Sequence, residues 1–577
     1  MKMTFALTTI AGTFLAGTML ANTVTNLQAT YRSGQVFLTW QERDLPADAL
    51  FTVHSHHEPI TADNLSAALT LASGIHRGSA RDWWQDPQSF NLKAEPAEPQ
   101  GFVIANGAAP LAPDSGLHVH TVAATTTGSR YFAVTWTGSQ AITPGANSLT
   151  RPCHTEVAQP VPIWQAATPA PQSQSAQGKA LVISLHGRGG GITAGPKAQA
   201  ANCLWFGDCD QGWREGLPVK FNLTSSGDTV TMTLHDRVWA NRPVRESPDG
   251  RDHCPAISTW WFGYNRNLPV TTDTPEIIGA NYTQRYILAL IQWAQNWLGT
   301  DPNQTYVTGG SMGGSGAVAL ALHFPNVFAA VLAHVPVYSY TWDICSTSKS
   351  ATAQRIACPM GPIKNRTAKL LDGTDLLQHL DGARNISVLA DTPPIFATNG
   401  RNDASIPWNN NPPFYRAANN ARQAFAIYWN DGEHGMSSTA PEDVKNWRTQ
   451  YRKYRLNQCF PAFSNSSDNR DFGDGNPENG DSEGWLNRGL DWHSALDQPD
   501  RLAMTITANY PGITYPITVD VTLRRIQAFK ATPGEKLRLQ INQEQPRSYT
   551  VPANGLLTVT GLTVNTPEGT SFTFTKP

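Results

Sequence analysis

Strand-like and helix-like stretches alternate along the middle of the 577-residue sequence, between residues 180 and 455. A buried strand is predicted at Ala180–Leu185, and a helix at Asn281–Leu298, where apolar side chains recur at helical spacing. Further strands are predicted at 304–308, 327–334, 394–398 and 424–429, and further helices at 315–323, 415–423 and 440–455. This alternation predicts a doubly wound, mostly parallel sheet covered by helices.

The sequences on both sides of this α/β segment are strand-like. Residues 24–40 contain two alternating runs separated by Ser33-Gly34, which predicts a hairpin. Residues 117–122 and 130–135 give a second hairpin signal. At the other end, alternating runs at 501–508, 517–524, 536–541 and 556–560 predict a small β-sandwich.

The N-terminus has the pattern of a signal peptide. Lys2 precedes an apolar stretch, residues 5–21, with cleavage expected after Ala21. An uncleaved anchor helix is the alternative, and no later segment has 18 consecutive apolar residues. With only 15% charged residues, the composition also suits an extracellular protein, so we expect a secreted or periplasmic location.

Charge and cysteine content narrow the possible partners. The net charge is −2 and no Lys/Arg run stands out, which disfavours nucleic acid as a partner. Seven cysteines allow up to three disulfides in an oxidising compartment, and Cys203/Cys209 and Cys345/Cys358 are the nearest pairs. Without a CxxC pair there is no zinc-ribbon signal, and we expect no metal, no cofactor and a monomeric chain.

The most specific motif is GGSMGG, residues 309–314, between a predicted strand and a predicted helix. It contains G-x-S-x-G with Ser311 at its centre. A sharp strand-to-helix turn brings backbones close together, so only small residues fit beside the serine. The motif therefore predicts a nucleophile elbow that exposes Ser311.

A second glycine-rich turn, HGRGGG at residues 186–191, follows the strand Ala180–Leu185. A phosphate-binding P-loop is disfavoured because no Lys-Ser/Thr pair follows the glycines. We expect His186 to be structural. The N–H groups of this turn, near Gly187 and Arg188, and that of Met312 after the serine are the candidates for stabilising an oxyanion.

An acid and a base follow two later strands. NGRNDASIPW, residues 399–408, presents Asp403, and GEHG, residues 432–435, presents His434. Glu433 and Asp431 are neighbours of His434 in sequence but poorly placed to orient it, so Asp403 is preferred. The order of Ser311, Asp403 and His434 is that of a strand-end catalytic triad.

Residues 180–455 resemble the α/β-hydrolase superfamily through HGRGGG, GGSMGG, NGRNDASIPW and GEHG. They are most similar to the secreted prolyl-oligopeptidase-like, polyhydroxyalkanoate-depolymerase-like and feruloyl- or acetylxylan-esterase-like branch. The resemblance implies that Ser311 attacks an acyl carbon, that His434 transfers the proton and that Asp403 orients the imidazole. It also implies an oxyanion hole from Gly187, Arg188 and Met312.

Six segments are predicted along the chain. They are a signal peptide (1–21), a fibronectin type III-like β domain (22–150), a linker (151–178), the α/β-hydrolase domain (179–462), a polar acidic linker (463–485) and a C-terminal β-sandwich (486–577). The carboxylate spacing in 464–484 does not fit an EF-hand, which leaves a looser calcium site as the alternative to a plain linker.

Substrate signals are weaker than those for the triad. Trp408, Trp260 and Trp261 could stack on sugar or phenolic rings, and the alternative is that these side chains belong to the core. The favoured hypothesis is an esterase acting on an extracellular polymer, an acylated polysaccharide or a polyester, or on a small ester. A prolyl-oligopeptidase-like peptidase and a non-catalytic polymer-binding protein are the alternatives.

Overall fold

The computed structural model describes part of the chain. The described residues are 24–32, 35–82, 104, 109, 111–112, 114–122, 126–156, 176–187, 221–234, 236, 238–239, 256–257, 259–265, 277–340, 360, 368–370, 372–387, 390–435 and 438–577. The predicted signal peptide, most of the predicted 151–178 linker, Arg188 and both predicted cysteine pairs lie outside these residues. Cys153 and Cys459, which are described, form no disulfide.

The N-terminal region forms two antiparallel sheets of three and four strands, in the orders β1-β2-β5 and β4-β3-β6-β7. The elements are β1 (Thr25–Arg32), β2 (Gln35–Gln41), β3 (Leu50–His56), β4 (Leu69–His76), α1 (Ser79–Asp82), β5 (Ser115–Thr121), β6 (Gly128–Trp136) and β7 (Cys153–Thr155). Side chains from both sheets share one core around Trp40 and Phe51. Strand β7 lies beyond the predicted boundary at residue 150, and the fibronectin type III-like assignment stays a prediction.

One of the two hairpins predicted in this region is correct. Strands β1 and β2 pair antiparallel across Ser33-Gly34. Strands β5 and β6 do not pair: β5 joins β2, whereas β6 joins β3 and β7. The second hairpin prediction was therefore wrong, because consecutive strands of a sandwich often cross between its two sheets, and local alternation carries no sign of that crossing.

The middle of the chain contains an eight-stranded sheet in the order β21-β19-β18-β16-β15-β8-β10-β9. Its strands are β8 (Ala180–Leu185), β9 (Phe221–Ser226), β10 (Thr229–Leu234), β15 (Thr305–Gly310), β16 (Ala330–His334), β18 (Ile395–Gly400), β19 (Phe425–Asn430) and β21 (Gly484–Leu486). The six strands from β10 to β19 are parallel, and the edge strands β9 and β21 are antiparallel. This is the predicted mostly parallel sheet of an α/β-hydrolase fold.

Helices and short strands surround this sheet. The helices are α2 (Tyr282–Trp293), α3 (Met312–His323), α4 (Leu376–His379), α5 (Gly382–Asn385), α6 (Asn411–Asn420), α7 (Glu442–Lys445) and α8 (Trp447–Gln450). The short strands are β11 (Val238–Trp239), β12 (Ala256–Ile257), β13 (Tyr264–Asn265), β14 (Ile277–Ala280) and β17 (Ala368–Leu370). None of the described helices has the length and apolarity that a membrane crossing requires.

Two cores lie on opposite faces of the central sheet. Leu181 and Ile183 of β8 belong to one cluster of buried side chains, whereas Ala180 and Val182 belong to the other. Successive side chains of a strand point to opposite faces, so this parallel strand is buried on both sides. Because both faces of the sheet are covered by apolar cores, the ends of its strands are the positions where polar side chains can come together.

The C-terminal region forms sheets in the orders β20-β24-β27 and β22-β23-β28-β25-β26 around a shared core, as predicted for an all-β sandwich. Its strands are β20 (Phe460–Ser464), β22 (Leu490–Asp497), β23 (Arg501–Ala508), β24 (Ile517–Arg524), β25 (Lys536–Ile541), β26 (Arg547–Thr550), β27 (Thr558–Val564) and β28 (Thr570–Thr575). The chain enters this sandwich with β20, returns to the central sheet with β21, and then enters the sandwich again.

Two buried arginines join the sandwich to the central domain. Arg525 donates hydrogen bonds to the carbonyl oxygens of Pro325, Phe328 and Ala329 at 3.1, 2.9 and 3.2 Å. Arg524 donates to the carbonyl oxygens of the turn after α6 (Ala421 and Arg422). These carbonyls precede β16 and β19, so the sandwich contacts the amino ends of the parallel strands.

Candidate active site

Ser311 occupies a tight turn between β15 and α3, at the carboxyl end of the sheet. Its backbone has φ 57° and ψ −123°, a strained conformation for a residue with a side chain. A Cβ on Gly309 would lie 2.4 Å from the Gly313 carbonyl oxygen, and one on Gly313 would lie 2.1 Å from the Leu185 carbonyl oxygen. The flanking glycines are therefore needed for the turn to pack against β8, as the motif predicted.

The side chains of Ser311, His434 and Asp403 form a chain of hydrogen bonds. The Ser311 Oγ lies 2.8 Å from His434 Nε2, and His434 Nδ1 lies 2.6 Å from Asp403 Oδ2. An ionised carboxylate only accepts hydrogen bonds, so Nδ1 carries the proton and Nε2 has a free lone pair facing the serine hydroxyl. The structure thus brings together the three residues that the sequence placed on separate loops.

Backbone N–H groups hold the Asp403 carboxylate in position. The Asp403 side chain is only 1% exposed, and its Oδ1 accepts hydrogen bonds from the N–H groups of Ser405 (2.7 Å) and Ile406 (3.0 Å). Asp431 and Glu433 are exposed at the surface. The preference for Asp403 over these two neighbours of His434 agrees with the geometry.

The turn carrying Asp403 and the loop carrying His434 touch through their backbones. Arg401 N–H donates to the Asn430 carbonyl at 2.9 Å, and Asn402 N–H donates to the Gly432 carbonyl at 3.1 Å. A Cβ on Gly400 would lie 2.4 Å from the Gly432 carbonyl oxygen. A glycine at position 400 therefore lets the two loops come close enough for the Asp403–His434 hydrogen bond.

Two of the three residues predicted for an oxyanion hole are described, and both adjoin Ser311. Met312 is the first residue of α3, and the N–H groups of a helix's first turn have no partner within the helix. Gly187 lies beside the elbow: a Cβ there would be 3.6 Å from the Ser311 Cβ. Arg188, the third, lies outside the described residues.

His186 has a structural hydrogen-bonding pattern. Its Nε2 accepts the Asp236 N–H at 2.8 Å, which leaves the proton on Nδ1 to donate to the Gly187 carbonyl at 2.7 Å. The buried Asp236 carboxylate in turn accepts from the N–H groups of Thr259 (3.1 Å) and Trp261 (3.3 Å). Asp236 was missed by sequence reasoning, although its place just after β10 was a usable signal.

The three tryptophans predicted to bind substrate are buried in the structure. Trp408 is 1% exposed and its Nε1 donates to the Phe472 carbonyl at 3.3 Å. Trp261 is fully buried against Gly316 of α3, and Trp260 is 4% exposed against Tyr340. Their rings are covered by the protein's own chain, so their positions favour the alternative, a core role, over stacking on a substrate.

His334, at the end of β16, is a neighbour of the elbow that the sequence did not single out. Its carbonyl accepts the Ser311 N–H at 2.8 Å, and its Nδ1 lies 2.9 Å from Thr398 Oγ1. Burial lowers the pKa of His334 below its usual value, so the neutral ring is favoured beside the elbow.

One cluster of side chains with metal-binding chemistry occurs in the described part of the chain, and it lies outside this site. His56, the last residue of β3, and the next two residues, His57 and Glu58, have their ligand atoms within 4.8 Å of one another. Side chains of this type bind divalent transition metals. None of the three takes part in the hydrogen bonds that join Ser311, His434 and Asp403.

Comparison with known proteins agrees with the fold. Residues 280–454, less than a third of the chain, match the prolyl oligopeptidase family. Comparison with curated proteins gives no match. The matched segment contains Ser311, Asp403 and His434, and with the sheet topology it defines the chain as a serine hydrolase with an α/β-hydrolase fold.

Several solved hydrolases show a distant likeness. An S-formylglutathione hydrolase from Agrobacterium tumefaciens is 12% identical over 48% of this chain and 85% of that chain, with a TM-score of 0.32. An acetyl ester-xyloside bifunctional hydrolase from Caldicellulosiruptor lactoaceticus is 18% identical over 48% and 83%, with a TM-score of 0.29. A Pyrococcus horikoshii acylaminoacyl peptidase is 13% identical over 48% and 37%, with a TM-score of 0.29. At these values none of the three bears on the substrate.

Proposed function

We propose that the protein is a secreted serine esterase that hydrolyses carboxylic esters through an acyl-enzyme intermediate. The observation that carries the proposal is the His434 imidazole, which joins Ser311 Oγ at 2.8 Å to Asp403 Oδ2 at 2.6 Å. In this arrangement the imidazole can remove the hydroxyl proton while the carboxylate stabilises the imidazolium that forms. Ser311 is the proposed nucleophile of this reaction.

The proposed reaction proceeds in two halves. Ser311 Oγ attacks the ester carbonyl as its proton moves to His434 Nε2, and the tetrahedral intermediate then expels the alcohol, which takes that proton. Water repeats the sequence on the acyl-enzyme: its proton moves to Nε2, the acid leaves, and Oγ regains the proton. The N–H groups of Met312 and Gly187 are the proposed donors to the oxyanion in both halves.

An extracellular polymer, either an acylated polysaccharide or a polyester, is the proposed source of the ester. Support comes from the signal-like N-terminus and from the β-sheet regions on both sides of the central domain, an arrangement common in polymer-degrading enzymes. The β regions would then bring the catalytic domain to an insoluble substrate.

A peptidase is the second candidate, because the family that residues 280–454 match is the prolyl oligopeptidase family. Peptidases of that kind usually carry a large N-terminal β-propeller. The described residues of the N-terminal region instead form two small sheets of three and four strands. This difference favours the esterase.

The nucleophile is tested with Ser311→Ala and p-nitrophenyl acetate. We expect a loss of at least about 1000-fold in kcat, because the remaining site can only bind the ester and polarise it. Ser438→Ala is the matched control: this exposed serine lies near His434, and among the described residues its hydroxyl bonds only to the Gly435 carbonyl, so the activity of the variant should be unchanged. A fluorophosphonate probe should label Ser311, as located by mass spectrometry. Labelling of another serine would contradict the proposal.

Substrate class is tested with the wild-type protein on acetylated xylan, feruloylated polysaccharide, polyester film and Pro-containing peptides. Release of acid from a polymer ester at a higher kcat/KM than peptide cleavage supports the esterase. Cleavage of peptides alone would establish the second candidate instead.

A further inference from the structure

The polar segment 464–484 packs on the loops that carry the triad. The indole N–H of Trp408, on the Asp403 turn, donates to the Phe472 carbonyl at 3.3 Å. The indole N–H of Trp429, in the strand before His434, donates to the Asp481 carbonyl at 2.9 Å. One excursion of the chain therefore covers both the acid turn and the strand leading to the base.

The guanidinium of Arg401 lies at the centre of this excursion. Arg401 is only 2% exposed, and its side chain donates to the carbonyl oxygens of Pro477 (3.2 Å from Nε) and Asn479 (2.7 Å). A further hydrogen bond joins it to the Asp481 carbonyl, and its guanidinium lies 5.3 Å from the centre of the Trp408 ring. We define the carbonyls of 477, 479 and 481 as the carbonyl cage.

The carbonyl cage has the chemistry of a cation site. Carbonyl oxygens converging on a positive charge are typical of calcium-binding loops. A loose calcium site was also the alternative that the acidic sequence of 464–484 allowed. In the structure the cation at these oxygens is Arg401. Within the described part of the chain, no carboxylate lies at ion-pair distance from it, so carbonyl dipoles stabilise its charge.

Arg401 is two residues from Asp403 on the same turn. Its own N–H bonds to the Asn430 carbonyl at 2.9 Å, where the His434 loop begins. We propose that Arg401 is a positioning residue, whose guanidinium fixes the segment 471–481 against the Asp403 turn and so holds the carboxylate at bonding distance from His434. This inference rests on the proposed function of the triad.

Arg401→Gln is the test, with Arg416→Gln as the matched control. Arg416 is exposed and contacts the same segment from outside, at the Gly473 carbonyl (3.4 Å) and the Phe472 ring. For Arg401→Gln we expect kcat on p-nitrophenyl acetate to fall about 10- to 100-fold with KM nearly unchanged, because a small displacement of the acid misaligns the triad. Arg416→Gln should stay within about twofold of wild type.

A second pair of measurements reports on the cage directly. Amide hydrogen exchange in 471–481 should accelerate in Arg401→Gln and not in Arg416→Gln. In Arg401→Ala, millimolar methylguanidinium should restore part of kcat, whereas sodium chloride at equal ionic strength should not. Trp408→Phe keeps an aromatic side chain but loses the indole N–H that donates to the Phe472 carbonyl. It should lower kcat at least threefold with faster exchange, and it tests the same contact between 471–481 and the Asp403 turn if the Arg401 variants do not fold.

The outcomes separate this inference from the proposed function. If Ser311→Ala retains activity, the triad proposal fails, while the exchange data still report on the cage. If Ser311→Ala is inactive but Arg401→Gln keeps kcat within twofold, or if exchange in 471–481 is unchanged, Arg401 is not a positioning residue. If Arg401→Gln and Arg416→Gln lower kcat equally, the guanidinium cage is not responsible.

Discussion

At the scale of single residues, the site depends on which atom of His434 carries a proton. Asp403 Oδ2 accepts a hydrogen bond from the protonated Nδ1, and the N–H groups of Ser405 and Ile406 donate to the other carboxylate oxygen. The carboxylate is therefore held in one orientation by three donors. This fixed orientation leaves Nε2 free to accept the Ser311 hydroxyl proton.

Replacing Asp403 by Asn should reverse the His434 tautomer. The amide would keep its oxygen on the two N–H groups and present its NH₂ to Nδ1, which moves the ring proton to Nε2. We expect kcat for p-nitrophenyl acetate to fall about 1000- to 10,000-fold with the fold intact by circular dichroism. Asp431→Asn, the same change at an exposed neighbour, should have no effect. Retention of a tenth of the activity in Asp403→Asn would rule out this role.

Sequence alone predicted Ser311, Asp403 and His434 because each lies in a short motif at a predicted strand end. The burial of Trp408 could not be predicted in this way. Its ring is covered by a segment more than 60 residues further along the chain, and its contact with Phe472 depends on how that segment folds back. Arg401 was visible inside NGRNDASIPW, but its partners at 477–481 were not.

At the scale of elements, helix α3 ends at His323, which forms a half-buried pair with His379. His323, its last residue, stacks on His379 at 4.0 Å between ring centres. Burial, and then the neighbouring His379, lower the pKa of His323 to about 3. The ring donates to the His379 carbonyl and faces the Gln284 amide. The negative end of the helix dipole would favour a charged ring, so burial outweighs the dipole here.

His323→Gln should make the stability of the protein less dependent on acid. The unfolded chain binds a proton on this histidine below about pH 6.5 and the folded chain does not, so wild type loses stability as the pH falls below that value toward 3. We expect the loss between pH 7 and pH 5, measured by urea unfolding, to be smaller in the variant by about 1 to 2 kcal/mol. His493→Gln, at an exposed site, should follow wild type. If the free energy of unfolding changed with pH by the same amount in wild type and in His323→Gln, the prediction would be contradicted.

The boundaries of elements were harder to predict than their existence. The helix predicted at 415–423 is α6, Asn411–Asn420, which begins with Pro412 and Pro413 in its first turn. Proline suits that position because its fixed φ is helical and its missing N–H has no partner there anyway. A capping rule applied to these prolines would have placed the start correctly, whereas apolar spacing alone placed it four residues late.

At the scale of the whole molecule, the triad and the contact with the C-terminal sandwich lie at opposite ends of the parallel strands. The triad follows the carboxyl ends of β15, β18 and β19. Arg524 and Arg525 attach the C-terminal sandwich at the amino ends. Burial lowers the pKa of Arg525 to about 10, and carbonyl oxygens compensate its charge. The length of the parallel strands therefore separates the triad from the contact with the sandwich.

Arg525→Met should weaken the contact between the C-terminal sandwich and the central domain. Three carbonyl oxygens, at Pro325, Phe328 and Ala329, would lose a charged donor in a buried place, with an expected destabilisation of about 3 kcal/mol. In calorimetry we expect a lower Tm or a transition split into two, as the domains unfold separately. Arg547→Met, on the exposed strand β26, should melt like wild type. An unchanged melting profile in Arg525→Met would show that this contact is held elsewhere.

Strand β21 adds an edge to the central sheet only after β20 has been laid down for the sandwich. During synthesis on the ribosome, β19 is therefore complete at Asn430 but keeps an open edge until Leu486 has left the exit tunnel. Strand β20 remains unpaired for longer, because its partner β24 is complete only when Arg524 has been synthesised. The central domain and the sandwich therefore cannot be completed one after the other. The last strand of the central sheet, β21, follows the first strand of the sandwich, β20, along the chain.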